Sequence, residues 1–179
     1  MPATRDPRPL TGEPLALDLL NTRWMDEGAV QDLLTDTGGL AVWLAAHGLD
    51  GFTAGDAALR NTLRARDALK AAVDGPPEEG AALVNAVLEH GRIRPTLDPQ
   101  GPGERAEFDD PDWGPAWLAA RNYLELLTAA PDRIRGCAHD ACILHFFDTS
   151  RNGTRRWCSM AACGNRAKAS RHYARTREG

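Results

Sequence analysis

Apolar positions along this chain fall mostly at helical spacing, and they predict a mainly α protein with a small β-containing C-terminal end. In residues 14–24 (PLALDLLNTRW), Leu15, Ala16, Leu17, Leu19 and Leu20 cover most of a helix circumference. This first helix is therefore expected to be buried on nearly all sides. Asp18, Asn21 and Thr22 interrupt it at i, i+3 and i+4, on one face. Such a polar stripe must find partners, because an unsatisfied buried group costs about 1–3 kcal/mol. Residues 38–49 predict a second helix, ended by Gly48. Thr53 and Asp56 offer a capping box for a third helix, running to Val73 before Asp74-Gly75-Pro76-Pro77 stops it. Leu59, Leu63, Leu69 and Val73 mark its expected buried stripe, and Arg66 falls within that stripe. A buried arginine needs an anionic or carbonyl partner, and Asp18 is the candidate.

Residues 78–90 predict a fourth helix, and residues 91–111 break the pattern. There, residues 92–97 and 105–108 flank a Pro- and Gly-rich run, which predicts a short β-hairpin. Trp113, Trp117, Ala120, Leu124 and Leu127 then recur at helical spacing and define a last long helix, ended by Pro131. Residues 1–13 read as a loose lead-in, and residues 133–136 as a short linker between an N-terminal domain (1–132) and a C-terminal one (133–179).

All four cysteines of the chain lie in that C-terminal part, as Cys137, Cys142, Cys158 and Cys163, with the spacing C-x4-C-x15-C-x4-C. Two close pairs separated in this way predict a tetrahedral Zn²⁺ site, and four thiolates leave no open position for catalysis. The alternative is a pair of disulfides, which needs an oxidising compartment, and the N-terminal residues show no apolar secretory stretch. His139 and His145 lie nearby and are expected to be bystanders. Residues 143–148 (ILHFFD) read as a strand, Asn152-Gly153 as a turn with positive φ at both residues, and residues 155–158 as the return strand. Residues 166–177 read as a helix with Asn165 as its N-cap. Knuckle, hairpin and helix in this order predict a treble-clef-like zinc unit.

These residues carry a family resemblance. Asp148, Ser150, Arg151, Asn152, Arg156, Trp157, Cys158, Lys168 and the run Cys163-Gly164-Asn165-Arg166 are similar to the C-terminal module of the CGNR zinc-finger proteins. The LDLLNT stretch at residues 17–22 resembles the N-terminal signature of the helical ABATE domain found with it. The resemblance implies a bacterial DNA-binding transcription regulator acting in stress responses.

Charge sharpens that expectation. From Arg133 onward ten Lys/Arg face three acidic residues (+7), while residues 1–132 hold 11 basic and 22 acidic residues (−11). A basic module on an acidic partner is the footprint of nucleic-acid binding, with duplex DNA the expected ligand. Arg151, Arg155 and Arg156 surround the predicted turn, and Lys168, Arg171 and Arg175 share one helix face, with Arg166 at its start. One of Arg156 and Arg166 is expected to brace the knuckles instead of touching DNA. A unit this small is expected to need a homodimer for specificity.

Three alternatives stand beside this reading. The acidic domain can dock on the basic one, or the zinc unit can bind a protein instead of DNA. Asp18, Asn21, Thr22 and Arg66 form either a satisfied buried network or a pocket for a small polar effector. The five histidines show no catalytic spacing and the cysteines are assigned to metal, so the protein is not expected to be an enzyme. No apolar run approaches a membrane span, and a cytoplasmic location is expected.

Overall fold

Leu15–Leu20 form helix α1 at the centre of the protein, with Ala16, Leu17 and Leu19 wholly buried. The computed structural model describes residues 6–165. The helix is shorter than its apolar run suggests, because the Thr22 hydroxyl donates to the Leu19 carbonyl at 2.7 Å and the chain then extends. Strands β1 (Arg23–Asp26) and β2 (Ala29–Asp32) pair antiparallel around Glu27-Gly28, both at positive φ (46° and 83°). A two-residue loop with that backbone matches the right-handed twist of the strands it joins. This hairpin was not expected from the sequence.

Helix α2 (Thr37–Ala46) starts at Asp36, whose carboxylate accepts from Gly39 N at 2.9 Å. A Cβ on Gly39 would lie 1.6 Å from the Leu33 carbonyl oxygen, so only glycine fits there. Helix α3 (Asp56–Asp74) begins after Gly55 with no side-chain cap, so the expected Thr53–Asp56 capping box does not form. Its buried face also differs from expectation. Ala58, Asn61, Thr62, Ala65, Arg66, Ala68 and Leu69 are buried, while Leu59, Leu63 and Val73 are only partly so. Near the C-terminal end of α3 the next helix packs closely against it. On α4 (Pro77–Leu88), a Cβ at Gly80 would meet Ala72 Cα at 2.3 Å.

The expected hairpin forms and is longer than its apolar signal: β3 (Gly91–Asp98) pairs along its whole length with β4 (Gly101–Phe108). Helix α5 (Gly114–Ala129) follows a 3₁₀ turn at Pro111–Trp113. It buries Trp117, Ala120, Tyr123 and Leu126, leaving Leu124 and Leu127 partly exposed. Trp117 Nε1 donates to the Leu88 carbonyl at 2.9 Å and ties α5 to the end of α4.

Two short strands close the fold, β5 (Ile134–Gly136) and β6 (His145–Phe147). They pair with each other, so the strand partner of residues 145–147 is Ile134–Gly136 and not the expected 155–158. The cause is Asp148. Its carboxylate accepts from Ser150 N and Arg155 N, both at 2.9 Å, and curls residues 148–155 into a loop. Gly153 takes positive φ (62°) in that loop and Asn152 does not, so the turn differs from the one its Asn-Gly pair suggests. Phe146 and Leu144 join the same apolar core as α1, α3 and α5. No described helix is long and apolar enough to cross a membrane.

Candidate metal centre and the groups that hold it

Each cysteine pair sits in a tight local turn. Cys137 follows β5, its N–H donating to the Leu144 carbonyl at 2.9 Å, and Cys142 N donates to His139 O at 2.8 Å. Cys158 precedes, and Cys163 lies within, a single π-type turn at Met160–Gly164, begun by Ser159, whose hydroxyl accepts from Ala162 N at 3.4 Å. The four sulfur atoms lie within 4.8 Å of one another. Two separations, Cys142–Cys158 at 3.8 Å and Cys158–Cys163 at 3.6 Å, are near the edge of a tetrahedron. With Zn–S bonds of about 2.3 Å that edge is about 3.8 Å. They are far too long for disulfides, which need about 2.05 Å.

The electrostatics ask for a cation at the centre. A hydrogen bond from Cys158 carries the Cys142 thiol down to about 5. Burial pushes Cys163 up to about 12, and the charge forming on Cys142 adds to that. The hydrogen bond to Cys142 and burial drive Cys158 up as well. One thiolate is therefore favoured at the expense of its neighbours, and a divalent ion is what lets all four ionise together. The Cys158 N–H also points at Cys137 Sγ (3.4 Å), a donor that supports thiolate charge. The histidines are elsewhere: His139 Nδ1 accepts from Ala141 N, and His145 Nε2 lies 2.9 Å from Asp74.

Residues 133–176 match the family model of the CGNR zinc finger, and residues 13–130 match that of ABATE, described as "Putative stress-induced transcription regulator". The chain belongs to the ABATE family. No curated protein matches it. The four cysteines of its CGNR finger bind zinc.

Arginines of the finger divide by role. Arg133 Nη1 donates to the carbonyls of Asp148 (2.8 Å) and Ser150 (2.6 Å) and closes the loop. Arg155 donates to the carbonyls of Trp157 and Cys158, reaches Glu13 at 3.3 Å, and lies 4.2 Å over the Phe146 ring. Arg155 therefore makes a brace of the kind expected from Arg156 or Arg166, because Asp148 draws its backbone inward. Arg151 and Arg156 are exposed. Arg166, Lys168, Arg171 and Arg175, with the expected helix 166–177, lie outside the described residues. Burial works against charge on Asp148, but hydrogen bonds from Ser150 and Arg155 outweigh it and hold the carboxyl below its ordinary value.

The ABATE segment meets this finger through its buried polar face. Asn21 is fully buried, and its side chain pairs with His145 of β6 twice, accepting from N and donating to O, both at 2.8 Å. Glu13 accepts from Phe147 N at 2.9 Å. Asp18 bonds Arg8 and Gly12 N, and His47 Nε2 lies 2.8 Å from it. Burial opposes its charge, yet His47 and Arg8 prevail and keep its carboxyl below the usual range. None of Glu13, Arg8 and His47 stood out in the sequence, because their partners are distant or lie in an apparently loose lead-in.

Arg66 is buried, as expected, and bonds Thr22 Oγ1 at 2.9 Å. Its carboxylate partner is Asp32, held bidentate at 2.7 and 2.8 Å, and not Asp18. The unexpected β1–β2 hairpin brings Asp32 back over α3. Arg66→Ala is expected to cost about 2–3 kcal/mol, less than a fully buried pair, because water can still reach Asp32. Urea denaturation measures this, and a loss below about 0.5 kcal/mol would place Arg66 among inconsequential sites.

Proposed function

We propose that this ABATE-family protein is a zinc-dependent, DNA-binding transcription regulator of the cytoplasm, without catalytic activity. The observation that carries the reading is the exposure of Arg151 and Arg156 on the metal unit, whereas Arg133 and Arg155 are tied to backbone carbonyls. Free guanidinium groups on a rigid scaffold neutralise phosphates at little ordering cost. The finger is read as treble-clef-like, with the β5–β6 pair in place of the expected hairpin. Lys168, Arg171 and Arg175, which follow the second cysteine pair in sequence, add three further cations to the basic module. Specific recognition by so small a unit calls for a homodimer on paired half-sites. Asp18, Asn21, Thr22 and Arg66 have protein partners, so their role is internal clamping and not the binding of a small polar effector.

Titration of the intact protein against labelled duplex at several salt concentrations tests the proposal. With about four phosphate contacts the slope is about −3.6, and affinity falls on the order of a hundred-fold between about 50 and 200 mM salt. The Lys168/Arg171/Arg175→Ala triple variant is expected to flatten that slope. Parent-like binding by the triple variant would remove these three residues from the interface, and no binding at low salt would leave the protein-interaction reading in place.

A further inference from the structure

We propose that the finger carries, beside its metal, a cleft that accepts a single unstacked base of DNA. The cleft has a volume of about 430 Å³ and is lined by Thr154, Arg155, Arg156, Trp157, Ser159 and Met160. That size falls in the range of about 300–1,000 Å³ typical of small-molecule sites. Its composition is specific. Trp157 supplies a partly exposed π-face, with the Arg156 guanidinium 5.2 Å from the ring centroid. Met160, 54% exposed, forms an apolar rim, and Thr154 lies at the edge. An aromatic plane, a planar guanidinium lying over it that also offers a stacking face, and a soft apolar lip are what a nucleobase stacks among, with its phosphate left toward the basic surface.

The motif residue Gly164 belongs to this arrangement. A Cβ there would lie 2.8 Å from Met160 Sδ and 3.4 Å from Trp157 Cδ1. Glycine therefore lets the methionine fold back against the metal-binding turn and sit next to the indole. The floor is stiff for the same reason, because Cys158 and Cys163 bracket it and Ser159 caps it. Arg155, bonded to the carbonyls of Trp157 and Cys158, fixes the remaining wall. An aromatic side chain of a protein partner would suit the apolar part but would leave Arg156, which lines the cleft, without an anion. Charge complementarity therefore favours DNA.

The inference rests on the DNA-binding reading above, and the experiment separates the two. A labelled duplex carrying one extrahelical thymine is compared with the same duplex fully paired, by fluorescence anisotropy with the full-length zinc-loaded protein. The parent is expected to prefer the extrahelical base about tenfold, equivalent to about 1.4 kcal/mol, within the usual range for base stacking on an aromatic side chain. Trp157→Leu and, separately, Met160→Ser should bring the ratio toward one, with zinc content measured on each variant to check the fold. Met160 is exposed, so its replacement keeps the test sound even where Trp157→Leu loses zinc. Equal binding of both duplexes by the parent overturns the base site and leaves DNA binding standing. A preference that survives in Met160→Ser and Trp157→Leu places the unstacked base elsewhere and overturns the assignment. Absence of binding to either duplex removes both proposals.

Discussion

Cys158→Ser is expected to release zinc from the full-length protein and to lower its stability by at least about 3 kcal/mol, seen as a midpoint about 6–12 °C lower. Cys158 is the most buried ligand, lies 3.8 and 3.6 Å from the sulfurs of Cys142 and Cys163, and points its own N–H at Cys137. Serine keeps the shape but gives no soft thiolate, and the three remaining thiols then crowd without a cation. Structural zinc in isolated fingers supplies about 10–16 kcal/mol. In this protein the loss is smaller, because Phe146 and Leu144 pack in the common core and keep part of the finger folded. Elemental analysis and thermal denaturation with and without excess chelator measure both effects. Stoichiometric zinc in the serine variant, or a parent midpoint indifferent to chelator, would show that the four cysteines are not the metal's ligands.

Asn21→Ala is the second large effect expected. It strands the N–H and carbonyl of His145, both buried under α1, and each unsatisfied group costs about 1–3 kcal/mol, for a total of about 2–6 kcal/mol. A further readout separates this clamp from an ordinary core contact. β6 is bonded to Asn21 and pairs with β5, which leads directly into the ligand Cys137, so the variant should also release zinc to a chelator faster than the parent. A variant with a loss below about 0.5 kcal/mol and unchanged release would show that Asn21 does not couple the ABATE segment to the finger.

The metal ligands were legible because paired cysteines report a local geometry, two short turns facing each other, that spacing alone encodes. The helices were legible for the same reason, since their period repeats within a few residues. What escaped was set at a distance. The partner of Arg66 lies 34 positions away, on a hairpin hidden in the continuation of an apolar helix pattern. Leu59 and Leu63 looked like the core of α3, but the buried positions of that helix are taken by Ala58, Ala65, Ala68 and Leu69 with the polar residues between them. Arg155 and Arg156 are neighbours of one type, and only the carboxylate of Asp148 decides which turns inward. The polar stripe of α1 was visible as something that needed partners, while the identity of those partners, Arg8, His47 and β6, depended on the assembled fold.

The contact between Asn21 and His145 also has a consequence during synthesis. Its two ends are separated by 124 residues. At about 5–20 residues per second, translation places about 6–25 s between them. Throughout that interval α1, a largely buried apolar segment, exists without the strand that satisfies its buried asparagine. The ABATE segment therefore emerges first but cannot close first, and the last strand and the zinc ligands behind it complete the oldest part of the molecule. Chaperone occupancy on nascent chains should accordingly persist until β6 has left the ribosome.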